Sequence, residues 1–302
     1  MCETCGCSTG ARATLIDLDG AESHETHSHP ASPHHHHGDH HHHGDEHGHS
    51  HVHDHGPDQL RHEQLEALHA PLAGESRTLH LEQEILAKNS RLAERNRGWL
   101  EAKRVTALNL MSSPGAGKTT LLERTIRDLS HEFSISVIEG DQETVRDAER
   151  IRATGCRVVQ INTGSGCHLD AQMLSSALQR LDPPAASLLL IENVGNLVCP
   201  ALFDLGERAK VVIASVTEGE DKPLKYPHMF RAAEVMVLNK IDLLPHLDFD
   251  VERCLSYARQ VNPSLSIHQV SAIGGDGLDG WYGWLRSLIK TARASEESQP
   301  AL

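Results

Sequence analysis

The stretch VTALNLMSSPGAGKTTLLERTI, residues 105–126, contains the pattern that most narrowly limits the fold class of this chain. It opens with an apolar run typical of a buried strand, and a loop of small residues then leads into a helix that we expect to begin near Lys118. Gly117, Lys118 and Thr119 fill the last three places of the Walker A pattern, whereas Ser112 stands where the pattern has its first glycine. A glycine-rich turn without a ligand is the alternative, and both the preceding strand and the GKTT ending disfavour it. The stretch therefore predicts a phosphate-binding P-loop.

This loop suits a nucleoside triphosphate and its Mg²⁺ ion. Glycines allow backbone N–H groups to point at phosphate oxygens at the N-terminus of a helix. Lys118 would reach the β- and γ-phosphates, and the hydroxyl of Thr119 would bind Mg²⁺. The predicted nucleotide-binding residues of the loop are Ser113, Gly115, Ala116, Gly117, Lys118, Thr119 and Thr120.

Beyond the loop, short apolar runs alternate with helical stretches. The runs are SISVIEGD, CRVVQIN, SLLLIEN, KVVIASV, EVMVLNK and LSIHQVSA. Strands that alternate with helices are typical of a parallel sheet covered by helices on both faces. We therefore predict an α/β P-loop NTPase domain over residues 104–302.

The motif NKID, which follows the run EVMVL, indicates which base is bound. It places Asn239, Lys240 and Asp242 at the carboxyl end of a strand, where such sheets bind ligands. The Asp242 carboxylate can accept hydrogen bonds from N1–H and the 2-amino group of guanine, two donors that adenine lacks. Ser271 and Ala272 follow the last run and fit a backbone contact to the guanine oxygen. GTP is therefore favoured over ATP.

Histidine is concentrated in residues 24–57, which hold 16 of the 24 histidines of the chain. This tract has almost no apolar residues to bury, so we expect it to be disordered. A cloning tag is the alternative, but the tract is interrupted, internal and mixed with Asp and Glu. Neutral imidazoles bind nickel, zinc or copper, and such binding should be lost below about pH 6.5, where imidazole protonates.

Residues 1–23 begin with Cys2, Cys5 and Cys7. Three interpretations of these cysteines are possible: a disulfide framework, a redox pair and a metal site. Seven cysteines, an odd number, are spread over 302 residues, and the first residues lack the apolar core of a signal peptide. A redox CxxC usually lies between a strand and a helix, and neither is apparent here. Three thiolates and the terminal amine instead make a four-ligand set suited to Ni²⁺ or Zn²⁺. We expect a cytosolic protein that keeps its thiols reduced.

Composition and hydropathy exclude two further classes. The formal charge of −14 disfavours general nucleic-acid binding, which prefers a basic surface. No run of eighteen apolar residues occurs, so we expect no membrane span. Residues 58–103 are predicted to be a helical linker that packs against the globular domain and carries no chemistry. Its predicted apolar stripe is Leu79, Leu81, Ile85, Leu86, Leu92, Trp99 and Leu100.

Several stretches resemble the hydrogenase nickel-incorporation GTPases, the HypB family. They are SSPGAGKTTLL, GDQETVRDAERI, NTGSGCHLDA, IENVGNLVCPALFDLG, TEGEDKPLKYP and LNKIDLLP, and the CxxCGC start and histidine tract match as well. The resemblance covers roughly residues 103–288. It implies a nickel metallochaperone of [NiFe]-hydrogenase maturation, and a homodimer that depends on nucleotide or metal. It also implies two partners, a small nickel/zinc chaperone and a hydrogenase large-subunit precursor.

Two further groups of residues gain meaning from this resemblance. Cys167, His168 and Cys199 follow strands whose ends could meet beside the nucleotide. Spacing alone leaves incidental thiols equally plausible, and the resemblance favours a metal site with room for one more ligand. The resemblance also implies roles for three carboxylates and a lysine. Asp141 and Glu192 would belong to the Mg²⁺ shell, and Asp147 would support catalysis together with Lys118. Lys225 would lie near the guanine and act from a second subunit.

The sequence as a whole predicts a GTPase that couples GTP hydrolysis to nickel delivery into a hydrogenase precursor. A urease-type accessory GTPase is one alternative, and a nickel or zinc storage protein is another. The three-thiol start and the Cys-His pairing favour the hydrogenase class.

Overall fold

The computed structural model describes residues 13–17, 73–142 and 145–294. The chain divides into two compact units, Met1–Gly20 with Leu81–Leu302, and Ala21–His80. Of the second unit, the described part is the helical stretch 73–80. Cys2, Cys5, Cys7 and the predicted histidine tract lie outside the described residues.

An eight-stranded sheet forms the centre of the first unit, in the order β1-β4-β3-β5-β2-β6-β7-β8. The strands are β1 (Thr14–Asp17), β2 (Thr106–Ser112), β3 (Ile135–Asp141), β4 (Arg157–Asn162), β5 (Leu188–Glu192), β6 (Ala209–Ser215), β7 (Val235–Asn239) and β8 (Ser266–Gln269). All neighbours pair in parallel except β1 and β4, which are antiparallel. The predicted parallel α/β fold is confirmed.

Helices cover both faces of this sheet. They are α1 (Ala73–Ala102), α2 (Lys118–Leu129), α3 (Arg146–Arg152), α4 (Ala171–Leu181), α5 (Cys199–Leu202), α6 (Lys222–Lys225), α7 (Pro227–Ala232), α8 (Val251–Val261) and α9 (Leu278–Ala294), with a 3₁₀ helix at Ile241–His246. Successive strand residues face opposite sides, so Val137 joins a core with α2, α3 and α9, whereas Ile138 joins one with α1 and α4. A third core packs β6 and β7 against α7 and α8.

The predicted helical linker contains α1, and its packing face coincides only in part with the predicted stripe. Leu100 is buried as predicted, but Ile85 is 47% exposed, and the buried face also contains Asn89, Ala93 and Asn96. The Asn89 amide donates to the Asp204 carbonyl at 2.7 Å, and that of Asn96 donates to the Ala171 and Leu205 carbonyls at 2.8 and 3.1 Å. The helix therefore packs through hydrogen bonds to backbone carbonyls as well as through buried apolar surface, and an apolar pattern cannot indicate such bonds.

Strand β1 is an element that the sequence pattern did not predict. It lies within residues 1–23 and pairs with the edge strand β4, with Thr14 opposite Asn162 and Asp17 opposite Val159. Four residues are too few for a clear alternation, and the pairing depends on the hydrogen-bonding edge of β4. Among the helices that the structure describes, none has the length and apolar character needed to cross a bilayer.

Candidate functional site

A cleft of about 510 Å³ opens at the carboxyl ends of the central strands, and seven of the fourteen predicted nucleotide-binding residues line it. Its lining residues are Pro114, Gly115, Gly117, Lys118, Thr119, Thr120, Asp141, Gln142, Asp147, Arg150, Glu192, Val194, Gly195 and Lys240. A larger groove of about 790 Å³ involves the amino ends of β2 and β6 and includes none of the predicted site residues. Convergent charged groups and the P-loop make the smaller cleft the candidate site.

The P-loop joins β2 to α2, and its departure from the Walker A pattern has a structural role. The Lys118 ammonium donates to the Ser112 hydroxyl at 2.9 Å, so the serine positions the lysine across the loop. Gly117 has φ 94°, and a Cβ there would lie 2.5 Å from Nδ2 of Asn239. Only glycine fits this left-handed turn against the guanine-side motif, so the two predicted motifs constrain each other.

A buried carboxylate meets the first turn of α2 at the floor of the cleft. The Thr119 hydroxyl donates to Oε1 of Glu192 at 2.7 Å, while Oε2 of Glu192 is buried without a hydrogen-bond partner. Burial raises the pKa of Glu192 to about 7, although Lys118 and Thr119 oppose the rise. A hydroxyl and a buried carboxylate oxygen with unused acceptor capacity fit the oxygen ligands that Mg²⁺ prefers.

Glu139 is a neighbouring carboxylate that the sequence analysis did not single out. It lies opposite Glu192 in the β3–β5 register, is only 2% exposed, and its Oε2 is also buried without a partner. Burial raises the pKa of Glu139 to about 9, with further contributions from Glu192, Asp141 and Asp147. A glutamate inside the apolar run SISVIEGD was the available signal, because an unpaired charge is rarely buried without a function.

The two predicted aspartates line the cleft from β3 and α3. Asp141 is the last residue of β3, and Asp147 lies in the first turn of α3. Arg150, which sequence reasoning missed, contacts Asp147 at 3.2 Å and Glu123 at 2.9 Å. It also donates to the Thr120 hydroxyl at 3.2 Å. A guanidinium at this position adds positive charge beside the P-loop, where phosphate oxygens would lie.

The guanine-side residues form one hydrogen-bonded unit with the P-loop. The Asn239 amide donates to the Ala116 carbonyl at 3.0 Å and accepts from the Ala272 N–H at 3.1 Å. Lys240 donates to the Gly115 carbonyl at 2.7 Å. These contacts bring the NKID motif, the SA dipeptide and the P-loop together.

Asp242 is held by one of the other predicted residues. The Ser271 hydroxyl donates to Oδ1 of Asp242 at 2.5 Å. This bond fixes the orientation of the carboxylate, so that its second oxygen can face a ligand.

Two other predicted nucleotide-binding residues have partners outside the cleft lining. Ser113 donates its hydroxyl to Glu218, which also accepts from the Ser215 N–H at 3.1 Å. Burial raises the pKa of the Glu218 carboxyl. Lys225 pairs with Asp221 at 2.7 Å, is 62% exposed and does not line the cleft of this chain.

The structure brings Cys167, His168 and Cys199 together. Their potential ligand atoms all lie within 4.8 Å of one another, and Sγ of Cys167 is 3.6 Å from Nδ1 of His168. The His168 ring packs against Phe203, with 3.9 Å between centroids and an interplanar angle of 30°. Burial lowers the pKa of His168, against a smaller opposing effect of Asp170, so the imidazole remains in the neutral form that binds metals. Two thiols and an imidazole in this arrangement suit a soft or borderline ion such as Ni²⁺ or Zn²⁺.

Comparisons with known proteins identify the family to which the chain is similar. The family described as CobW/HypB/UreG, nucleotide-binding domain, matches residues 106–269. Hydrogenase maturation factor HypB of Azotobacter vinelandii is 62% identical over 217 residues, which are 72% of each chain. Hydrogenase maturation factor HypB of Escherichia coli K12 is 49% identical over 297 residues, 95% of this chain and 99% of the relative.

A solved structure extends the comparison to three dimensions. HypB from Helicobacter pylori in complex with nickel is 36% identical, with a TM-score of 0.63 over 71% of this chain and all of that chain. Sequence, fold and site geometry lead to the same assignment: this chain belongs to the HypB hydrogenase maturation factors, a P-loop GTPase family with a CobW/HypB/UreG nucleotide-binding domain.

Proposed function

We propose that this chain hydrolyses GTP and couples the reaction to delivery of Ni²⁺ into the large-subunit precursor of a [NiFe]-hydrogenase. The observation that supports this proposal is that the nucleotide cleft and the metal cluster are neighbours along the chain. Glu192, at the floor of the nucleotide cleft, and Cys199, in the metal cluster, belong to one segment only seven residues apart. A change at one site therefore reaches the other through a short stretch of chain.

The residues of the cleft supply binding, orientation and charge for phosphoryl transfer. Backbone N–H groups of the P-loop and Lys118 hold the phosphates, and Asp242 selects guanine. Thr119, Glu192 and Asp141 would hold Mg²⁺, which neutralises charge on the phosphate oxygens when bound. Asp147 is proposed to support catalysis at the γ-phosphate side.

Nickel is treated as cargo in this proposal. The internal site is proposed to hold Ni²⁺ or Zn²⁺ through Cys167, His168 and Cys199, with one place left for an outside ligand. The N-terminal Cys2, Cys5 and Cys7 are proposed as a separate capture site, and the histidine tract as a weaker reservoir. The capture site should keep its metal when protonation has emptied the imidazoles, because three thiolates bind as a chelate.

Partners follow from the same assignment. We propose a small nickel/zinc chaperone and the hydrogenase precursor as partners, in the cytosol, and a homodimer that depends on nucleotide or metal. Lys225 is exposed and outside the cleft of its own chain, which supports a role in a second copy.

The test is nickel titration of the protein with a non-hydrolysable GTP analogue and with GDP. Coupled delivery requires different nickel affinities in the two states, and a tenfold ratio corresponds to about 1.4 kcal/mol. A storage protein would bind nickel equally in both states, so equal affinities would favour storage and remove the coupling. Restoration of hydrogenase rather than urease activity in a deletion strain separates the two maturation classes.

A further inference from the structure

The segment between the two sites contains a buried side chain that contacts the chain on both sides of it. Asn193 follows Glu192 directly, is 1% exposed, and its backbone N–H donates to the Leu110 carbonyl of β2 at 3.0 Å. Its position is therefore fixed by the strand that leads into the P-loop. None of the sequence patterns considered above singles it out.

Both the oxygen and the nitrogen of the Asn193 side-chain amide form hydrogen bonds. Oδ1 accepts from the Leu169 N–H at 3.1 Å and from the Val194 N–H at 3.0 Å. Nδ2 donates to Oδ1 of Asn109 in β2 at 3.1 Å. Because Leu169 directly follows His168, one amide connects the strand before the P-loop, the segment after Glu192 and the loop that carries two potential metal ligands.

A steric contact lies beside this hydrogen bond. Leu169 is fully buried and packs on Gly140 so closely that a Cβ at Gly140 would be 2.8 Å from a Leu169 methyl carbon. The next residue, Asp141, lines the nucleotide cleft. The backbone of Leu169 thus has little room to move independently of the strand ends that surround the nucleotide.

We propose that Asn193 is the positioning residue that transmits the nucleotide state to the metal site, through its hydrogen bond to the Leu169 N–H. This inference rests on the proposed coupling of GTP hydrolysis to nickel release. When the segment after Glu192 moves with the nucleotide, the amide moves with it. The Cys167–His168 loop then shifts relative to Cys199, which changes the fit of the three ligands to one ion. Coupling between sites requires such a shared element with two arrangements, and this bond supplies the connection.

The test uses the full chain with Cys2, Cys5 and Cys7 replaced by alanine. In that protein, the thiolate-to-nickel charge-transfer band reports the internal site, since the histidine tract contains no sulfur. The measured quantity is the ratio of nickel affinities with a GTP analogue and with GDP, in the otherwise unchanged protein and in Asn193→Ala and Asn193→Asp. Asn262→Ala is the matched control, because Asn262 is also buried and donates to the Phe230 and Ala233 carbonyls, away from both sites.

We expect Asn193→Ala to bring the affinity ratio close to one while nickel and nucleotide still bind. Asn193→Asp keeps an oxygen acceptor for the Leu169 N–H and should retain most of the ratio. Asn262→Ala should retain all of it. An unchanged ratio in Asn193→Ala overturns the role of Asn193 but leaves coupled delivery standing. A ratio of one in the parent protein overturns both.

A second measurement covers the case in which Asn193→Ala does not fold. Hydrogen exchange of the Leu169 amide in the parent protein should differ several-fold between the GTP-analogue and GDP states, because the bond to Asn193 is made less well in one of them. Equal protection in the two states overturns the inference without any variant.

Discussion

Replacing Glu139 by glutamine should stabilise the nucleotide-free protein at neutral pH and have a much smaller effect, about 1 kcal/mol, near pH 5. Glu139 is 2% exposed, and burial, reinforced by Glu192, raises the pKa of its carboxyl to about 9. In the unfolded chain the same carboxyl titrates near its ordinary value of about 4.3. Between these two values the folded state holds a proton that the unfolded state releases.

The sign of the effect follows from this difference. A group whose pKa is raised by folding stabilises the folded state fully at a pH below its pKa in the unfolded chain. This contribution is lost as the pH rises toward the pKa of the group in the folded state. At about pH 7.5, roughly three units above the unfolded value, the loss is at most about 4 kcal/mol, and solvent penetration reduces it to about 2–4 kcal/mol. Glutamine has the shape of the neutral acid and does not titrate, so Glu139→Gln escapes this loss.

Urea unfolding measures the effect, with the fluorescence of the stacked pair Trp281 and Trp284 as the signal. The free energy of unfolding should be compared at about pH 5 and pH 7.5 for the parent protein, Glu139→Gln and the exposed control Glu149→Gln. Histidine titration is common to all three proteins and cancels. If the parent and Glu139→Gln curves remain within about 0.5 kcal/mol of each other at both values, Glu139 is not held in its protonated form.

Three further predictions concern the ligands. Asp242→Asn should weaken GTP binding by about 1.5–3 kcal/mol and favour xanthosine nucleotides, as competition binding would show, and unchanged GTP affinity would remove the guanine assignment. Lys118→Ala should abolish single-turnover cleavage at saturating GTP, and a parental rate would contradict the P-loop role. Because burial lowers the pKa of His168, nickel at the internal site should survive acidification through about pH 6.5, whereas nickel on the histidine tract is released. In the protein with Cys2, Cys5 and Cys7 replaced by alanine, the thiolate band follows the internal site, and total bound nickel after dialysis includes the histidine tract. Release of both pools at one pH would contradict that difference.

The motifs that were predicted from the sequence are those whose chemistry is local. The P-loop, the NKID motif and the run that precedes each of them are contiguous stretches, and periodicity identifies their strands without knowledge of the partners. The meeting of Cys167 and Cys199 is also foreseeable, because strands of a parallel sheet present their carboxyl ends at one edge.

The residues that escaped prediction depend on pairing across the sheet. Burial within the sheet raises the pKa of Glu139, and Glu192 in β5 raises it further, while β1 pairs with the edge of β4. The packing face of α1 likewise depends on backbone carbonyls, those of Asp204 and Ala171, that accept from Asn89 and Asn96. In each case the sequence shows which residue type is present but not which residue it contacts in the fold. The structural role of the residue depends on that contact.

The order of the strands explains why nucleotide and metal sites share one edge of the molecule. β5 lies between β3 and β2, so the segment after it passes between the end of β3, with Asp141, and the P-loop that follows β2. The loop after β4 meets this segment because β4 is the next strand beyond β3, and it brings Cys167 and His168 within 4.8 Å of Cys199. Neighbouring strands are about 4.8 Å apart, so the ends of β4 and β5, with β3 between them, lie about 10 Å apart, a distance that the loops leaving these strands can cross. Side chains such as Asn193 then determine whether that contact transmits a change from one site to the other.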